Sequence, residues 1–280
     1  NKKFQIPLEP GIAEDEVWKE NFLQDFETLS KNILEICEYG FLEMLNNAID
    51  HSEGTGVVIK TIWASDSVTI AIRDNGIGIF RKIKNALELD NERESILDLS
   101  KGKFTTDQEN HTGEGIFFTS RAFDIFHIVS RGISYIRTNW DEDWFVETMK
   151  DENVPGTGLI MKIALDSKRK MQKVFEEFVE ENPEGMPKFD RTHILVQLSQ
   201  LGDERYVSRS QARRICLGLE KFKHVVLDFK DISTVGQGFV DEVFRVFQSK
   251  HPGIKITYTN ANDDVRFMIE RSLPALEEEK

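Results

Sequence analysis

The sequence has little cysteine and no long apolar segment, and each shortage excludes a class of protein. The two cysteines, Cys37 and Cys216, lie in separate helical patterns and form no CxxC pair. We therefore expect two buried, reduced thiols rather than a disulfide framework or a zinc site. No run of about 18 apolar residues occurs, so no membrane-spanning helix is expected. No basic segment followed by an apolar one opens the chain, which favours a cytoplasmic protein.

A basic excess is missing as well. The chain has 36 Lys and Arg residues against 49 Asp and Glu residues, which gives a formal net charge of −13. Binding to nucleic acid depends on neutralising phosphates, so we expect no general nucleic-acid-binding surface on these residues. The chain begins with Asn, and a DNA-binding domain upstream of it remains an alternative.

With 280 residues the chain is long enough for two domains. Residues 182–187, Asn-Pro-Glu-Gly-Met-Pro, have the composition of a linker. We therefore predict a first domain over 1–186 and a second over 187–280. The second alternates short strands and helices, which is typical of a small α/β domain.

The first domain is predicted to be an α+β sandwich with helices on one face of a single mixed or antiparallel sheet. The periodicity predicts helices over 15–30, 31–50, 82–99, 115–126 and 168–181. Two strands, 57–63 and 68–73, form a hairpin, and a meander completes the sheet. The polar segment 100–111 is expected to be mobile.

A helical pair, Glu43 and Asn47, gives the first sign of chemistry. The two residues are four apart and therefore project from one face of the predicted helix. A carboxylate one turn from a carboxamide would hold a hydrated cation and activate a water molecule. Glu and Asn are common on exposed helices, so the pair alone is weak evidence.

A second segment, Asp-Asn-Gly-Ile-Gly-Ile, follows a predicted strand at 74–79. Asp74 would accept a hydrogen bond from an exocyclic amine, and Gly76 and Gly78 would let the backbone pass close to a flat ring. The alternative is an ordinary tight turn.

Two more glycine-containing segments complete the set. His-Thr-Gly-Glu-Gly at 111–115 opens a helix, and backbone amides at such a start bind phosphate. Pro-Gly-Thr-Gly at 155–158 precedes an apolar strand and places the Thr157 hydroxyl near a base edge or a bridging water. Each segment alone also fits a helix start or a turn.

Together the four segments, in this order, resemble the ATP-binding domain of the GHKL superfamily of gyrase, the large heat-shock chaperone, histidine kinases, MutL and the anti-sigma kinases. The resemblance covers roughly 15–166 and implies a Bergerat ATP-binding α/β sandwich with ATP and Mg²⁺ as cofactors. It implies that Asn47 coordinates Mg²⁺ and that Glu43 orients or deprotonates the nucleophile. Asp74 would bind the adenine amino group.

The resemblance implies further contacts for the remaining motif residues. The pocket would be shaped by Gly76 and Gly78, Thr157 would support the adenine contact, and the phosphates would lie against Gly113, Glu114 and Gly115. The segment between these motifs would be an ATP lid. Lys101 and Lys103 in it would either approach phosphate or be solvated lysines of a mobile loop. Asp50 matches the gyrase branch, whereas His51 matches the anti-sigma kinases or simply packs at the helix end.

The second domain resembles the STAS-type fold of anti-sigma antagonists. The similarity covers roughly 190–275 and lies in Val-Val-Leu-Asp-Phe at 225–229 and in the segment 232–239. Phosphorylatable antagonists carry a Ser at the start of the following helix, where this chain has Gly236 and Gln237. The phospho-acceptor is therefore not transferred.

These features predict a nucleotide-gated regulatory ATPase or Ser/Thr protein kinase in bacterial signalling. Its partner would be a protein regulator or its own STAS-like domain. The alternative is a non-catalytic ATP sensor that sequesters a protein partner. The amphipathic segment 17–29 would form a homodimer contact or pack on its own sheet.

Overall fold

The computed structural model describes residues 1–9, 11–103, 113–140, 144–148, 154–181, 187–200 and 206–273. The chain divides into two compact units, Asn1–Glu176 and Glu177–Lys280. The sequence predicts a domain boundary after residue 186. Because 182–186 lie outside the described residues, this boundary stays a prediction.

Unit 1 is built on one seven-stranded sheet. Its strands are β1 (Lys2–Pro7), β2 (Gly56–Trp63), β3 (Ser67–Asp74), β4 (Ile125–Ser130), β5 (Ile133–Thr138), β6 (Trp144–Thr148) and β7 (Thr157–Ala164). They lie in the order β1-β2-β3-β7-β4-β5-β6, and every neighbouring pair is antiparallel. The last strand along the chain therefore occupies the middle of the sheet.

Seven helices belong to the described part of unit 1. They are α1 (Glu14–Asn21), α2 (Leu23–Phe26), α3 (Lys31–His51), α4 (Ile79–Leu87), α5 (Glu94–Lys101), α6 (Gly115–Ala122) and α7 (Met171–Glu176). The long helix α3 contacts β3 and β7. Strand side chains alternate between this buried face and a more exposed one, as expected for a sheet covered on one side.

Several predicted helices end differently. The helix predicted over 15–30 is two shorter ones, α1 and α2. The helical stretch 82–99 is interrupted after α4, where Glu88 adopts a left-handed conformation with φ of 53°. The helix predicted over 115–126 ends at Ala122, because Phe126 and Ile128 alternate inward on β4.

The prediction of one helix over 168–181 is wrong. Helix α7 is only six residues long, and strand β8 (Val179–Glu181) follows it and pairs with β9 (Pro187–Phe189). Burial of Phe178 at the edge of this hairpin outweighs the helical charge pattern. Part of the predicted mobile segment, 104–111, lies outside the described residues.

Unit 2 contains a parallel sheet in the order β10 (Arg191–Leu195), β11 (His224–Asp228) and β12 (Lys255–Thr259). Its helices are α8 (Arg209–Cys216), α9 (Gln237–Asp241), α10 (Gln248–Lys250) and α11 (Asp263–Ser272). A π-helical segment, Glu242–Phe247, joins α9 to α10. Ser208 caps α8 in a capping box with Gln211. The predicted alternation of strands and helices is thus observed.

Among the described residues, no helix combines the length and the apolar character that crossing a bilayer requires.

Candidate functional site

A cavity of about 300 Å³ lies in unit 1 between α3, the ends of β3 and β7, α4 and the start of α6. This volume falls at the lower end of the range for small-molecule sites. Its lining includes residues from all four motif segments: Glu43, Asn47, Asp74, Gly78, Gly113, Glu114, Gly115 and Thr157. The fold thus brings together positions that are up to 114 residues apart, from 43 to 157.

Helix α3 forms one wall of the cavity. Its apolar side is buried, with Cys37, Phe41, Met44 and Leu45 fully inaccessible to solvent. This packing fixes the rotation of the helix, so that Glu43 and Asn47 reach the cavity together. The four-residue spacing predicted this shared orientation.

Asp74 stands at the end of β3 and is only 6% exposed. Its Oδ1 atom accepts hydrogen bonds from the Gly76 backbone N–H at 2.8 Å and from the Thr157 backbone N–H at 3.1 Å. Its Oδ2 atom has no hydrogen-bond partner among the described residues. One carboxylate oxygen is therefore used to join β3 to β7, and the other can accept a ligand donor.

The burial of Asp74 also changes its acidity. Loss of solvation raises the pKa of the carboxyl above its ordinary value, although the two backbone N–H donors act in the opposite direction. The hydroxyl of Thr157 adds a second connection, because it accepts a hydrogen bond from the Ile79 N–H at 2.9 Å. The first turn of α4 is thereby fixed against β7.

The glycine-containing start of α6 is a further part of the cavity wall. Gly113, Glu114 and Gly115 line it, and Glu114 is the N-cap residue. His111 and Thr112 of the same motif lie outside the described residues. The Glu43 carboxylate packs so closely on Gly115 that a Cβ at position 115 would stand 2.0 Å from Glu43 Oε2.

Tyr39, one turn before Glu43, is a neighbour that the sequence reasoning missed. Burial raises the pKa of its phenol, and the charges of Glu43 and Glu114 raise it further. The ring packs edge-on against Phe175 of α7, with centroids 5.6 Å apart. Tyr39 therefore stays a neutral phenol within the electrostatic range of both carboxylates.

Three predicted site residues do not line the cavity. Asp50 is exposed on α3, and Gly76 donates its N–H to Asp74 and packs closely on the backbone carbonyl of Ser52. Lys103 follows α5 with φ of 56° and precedes the gap in the described residues. Lys101 is buried beside Asp98, with 2.9 Å between Nζ and Oδ1. The contacts with a ligand that were predicted for these four residues stay predictions.

Lys82 of α4 lines the cavity and was not predicted. Its Nζ donates to the backbone carbonyl of His51 at 2.7 Å, at the end of α3, and lies 3.2 Å from Glu53 Oε1. His51 itself lines the cavity, as do Asn46 and Ser52. Among the described lining residues, Lys82 is the only Lys or Arg, whereas three carboxylates are present.

The side chains offer only part of a metal site. The described residues contain no group of three or more His, Cys, Asp or Glu residues arranged to hold a metal ion. Glu43 and Asn47 supply hard oxygen ligands of the kind that Mg²⁺ takes, and Mg²⁺ commonly completes its shell with phosphate and water. The lining therefore fits a magnesium ion that arrives with a phosphate ligand.

In unit 2, the loop before α9 lacks a side-chain hydroxyl at the helix start. Gly236 is the N-cap residue, and Gln237 follows as the first residue of the helix and bonds to Ser272 Oγ at 3.1 Å. Ser233 and Thr234 are exposed earlier in the loop. The local structure thus agrees with the sequence, which has no Ser at the helix start where a phospho-acceptor would stand.

A comparison with protein families gives one finding for unit 2. The model of the family described as "STAS-like domain of unknown function (DUF4325)" matches residues 211–266, from α8 into α11. A search of curated proteins returned no match. The family match does not extend to the cavity of unit 1, for which the GHKL resemblance remains a prediction. The chain thus combines a mixed α+β unit with a C-terminal STAS-like domain.

Proposed function

We propose that unit 1 is a Mg·ATP-binding domain of the GHKL type with a Bergerat fold, and that it acts as a nucleotide-gated switch for the STAS-like domain or for a protein regulator. The chain would be a regulatory ATPase or protein kinase in bacterial signalling. One observation carries the proposal: four segments that are distant in the sequence line a single cavity, in the combination that the GHKL resemblance requires.

The Asp74 end of the cavity is suited to adenine. The Oδ2 atom of Asp74 would accept from the exocyclic amine, since Oδ1 already holds two backbone donors. Apolar side chains also line the cavity, among them Ile72, Ile79, Ile83 and Leu159. A flat apolar ring with one polar edge would match this lining.

The part of the cavity lined by the start of α6 and by Asn47 is suited to phosphate. Backbone amides of Gly113–Gly115 and the carboxamide of Asn47 would hold the phosphates and their Mg²⁺. That ion would neutralise phosphate charge beside Glu43 and Glu114, which would otherwise repel a polyanion. Glu43 would accept the proton of an attacking water or protein hydroxyl.

Calorimetry with Mg·ATP tests the binding step. We expect wild-type protein to bind and Asp74→Asn to bind at least about tenfold more weakly, because the carboxylate is replaced by a group with one acceptor fewer. Asp66→Asn, at an exposed hairpin position, is the matched control and should bind normally. No heat from wild-type protein, with or without Mg²⁺, would overturn the proposal.

Incubation with γ-labelled ATP separates the possible activities. Released phosphate would identify an ATPase, and labelled protein would identify a kinase. The Glu43→Gln variant should still bind ATP, but it should produce neither released phosphate nor labelled protein. Binding without either product in wild-type protein would favour the alternative, a non-catalytic sensor that sequesters a partner.

A further inference from the structure

The face of the unit 1 sheet that points away from α3 has an unusual composition. Strand register places its residues in cross-strand rows, one of which runs Lys60, Ala71, Ile160 and His127. The next rows contain Val58, Arg73, Gly158 and Val129, and then Ile62, Thr69, Lys162 and Ile125. We call this surface the open face.

The centre of the open face is apolar. Ile62 is 46% exposed and Ile160 is 38% exposed, and they lie two strands and two residues apart, or about 12 Å. Val58, Ala71 and Val129 lie beside them and are half-buried. An antiparallel sheet that faces only water normally carries polar residues on that side, so this apolar surface needs an explanation.

On β1, β2, β3, β4 and β7 the charge of the open face has one sign, whereas farther along the row of Val129 the register reaches Glu147 on β6. Lys3, Lys60, Arg73 and Lys162 lie on it, and its positions on β1, β2, β3, β4 and β7 include no Asp or Glu. None of these four cations forms an ion pair within the part of the chain that the structure describes. In contrast, the chain as a whole has a net charge of −13.

We propose that the open face docks an amphipathic helix of a partner protein whose apolar stripe is flanked by Asp and Glu residues. A helix with its side chains is about 10–12 Å wide, which is close to the separation of the two exposed isoleucines. Helices cover one face of the sheet in α+β folds, and acidic flanks would complement the four cations. Two copies of the open face would repel each other. This inference does not depend on ATP binding.

A synthetic helix provides the test. We would measure the fluorescence anisotropy of a labelled peptide, about 18 residues long, with a leucine stripe flanked by glutamates. The full-length protein should bind it, and added salt should weaken binding. Lys60→Glu combined with Lys162→Glu should raise the Kd about tenfold or more. Ile160→Lys should also weaken binding, because the loss of apolar contact outweighs the favourable charge that it adds.

Controls separate this site from general charge effects. Lys31→Glu reverses one charge on α3, half the charge change of the double variant, at a side chain that is 89% exposed, and it should leave the Kd unchanged. A matched peptide with lysines in place of glutamates should not bind. Equal weakening by Lys31→Glu, or no binding of the acidic peptide at millimolar concentration, would overturn the proposal.

If a lipid surface or a second copy of the chain occupied the open face, the same variants would give different results. Sedimentation with vesicles of phosphatidylcholine and phosphatidylserine tests a lipid surface. If the vesicles bind with the same dependence on Lys60 and Lys162 while the peptide does not, the occupant is a membrane and the proposal fails. A dimer in sedimentation velocity that Ile160→Lys abolishes would likewise assign the face to a second copy. Retained thermal unfolding of each variant excludes misfolding as the cause.

Discussion

The carboxylate of Glu43 lies against the α-carbon of Gly115, which leaves no room for a side chain at the start of α6. A Cβ at position 115 would stand 2.0 Å from Glu43 Oε2 and 2.9 Å from its Cδ. The relationship joins the acid of the first motif to the glycine of the third. A substitution at position 115 can therefore displace the Glu43 carboxylate while Glu43 itself is retained.

The substitution Gly115→Ala should therefore reduce turnover more than stability. The atom in the way is the flexible end of a side chain, so Glu43 can rotate at a cost of about 1 kcal/mol. We expect nearly normal unfolding and loss of most ATP turnover under the proposed function. Gly253→Ala, where a Cβ meets nothing within 4 Å, is the control. Normal turnover in Gly115→Ala would show that the position of Glu43 is not critical.

The raised pKa of Asp74 gives a pH prediction. A carboxyl whose folded-state pKa lies above its unfolded value contributes stability below the unfolded pKa of 3.8. That contribution is lost as the pH rises through the folded-state pKa. Asp74→Asn lacks this titration, so its stability relative to wild type should improve as the pH rises above 3.8 and through the folded-state pKa of Asp74.

Urea unfolding followed by tryptophan fluorescence would measure this difference. All four tryptophans of the chain lie in unit 1, so the signal reports that unit alone. A stability difference between Asp74→Asn and wild type that does not change with pH would contradict the prediction.

Lys82 should stabilise unit 1 by holding the end of α3. Lys82→Met keeps the apolar stem but removes the donor to the His51 carbonyl, and we expect a loss of about 1 kcal/mol in the free energy of unfolding. The exposed partner Glu53 should contribute little. Lys84→Met, on the same helix, is the control. Equal effects of the two changes in urea unfolding would rule out the carbonyl contact as the cause.

Gly156 should tolerate no side chain. Its φ is +83°, and a Cβ would stand 2.1 Å from the Asp74 backbone oxygen, an atom that cannot move without disturbing β3. Gly218 has a similar φ of +78° but open space around it. We expect Gly218→Ala to cost about 1 kcal/mol, and Gly156→Ala to cost about 3 kcal/mol or more.

Thermal unfolding by circular dichroism compares the two variants. Equal costs would mean that backbone conformation alone, and not the contact with Asp74, determines the requirement for glycine at 156.

The sequence patterns predicted the elements that carry strong periodicity. The α3 stripe and the β2–β3 hairpin have nearly the predicted limits, because their apolar residues repeat at helical and alternating spacing over many positions. The break at Glu88 could not be foreseen, since no Gly or Pro marks the left-handed residue there. The prediction of one helix over 168–181 was also wrong. The burial of Phe178 depends on tertiary contacts, which the local sequence pattern does not reveal.

The site residues could be predicted from the sequence where they belong to a recognisable local motif. Glu43, Asn47, Asp74 and Thr157 line one cavity, as their segments suggested. Lys82 was missed because its contact is with a backbone carbonyl of another helix, which has no local sequence pattern. Asp50 was included through motif similarity alone, and the structure places it on an exposed part of α3.

The central place of β7 has a consequence for biosynthesis. Strands β3 and β4 both pair with it, although it is the last strand of unit 1 to leave the ribosome. Until 157–164 emerge, the nascent chain carries two separate half-sheets, each with an unpaired edge. A message truncated before this strand would therefore yield an aggregation-prone product, and a chaperone that shields strand edges would act in that interval.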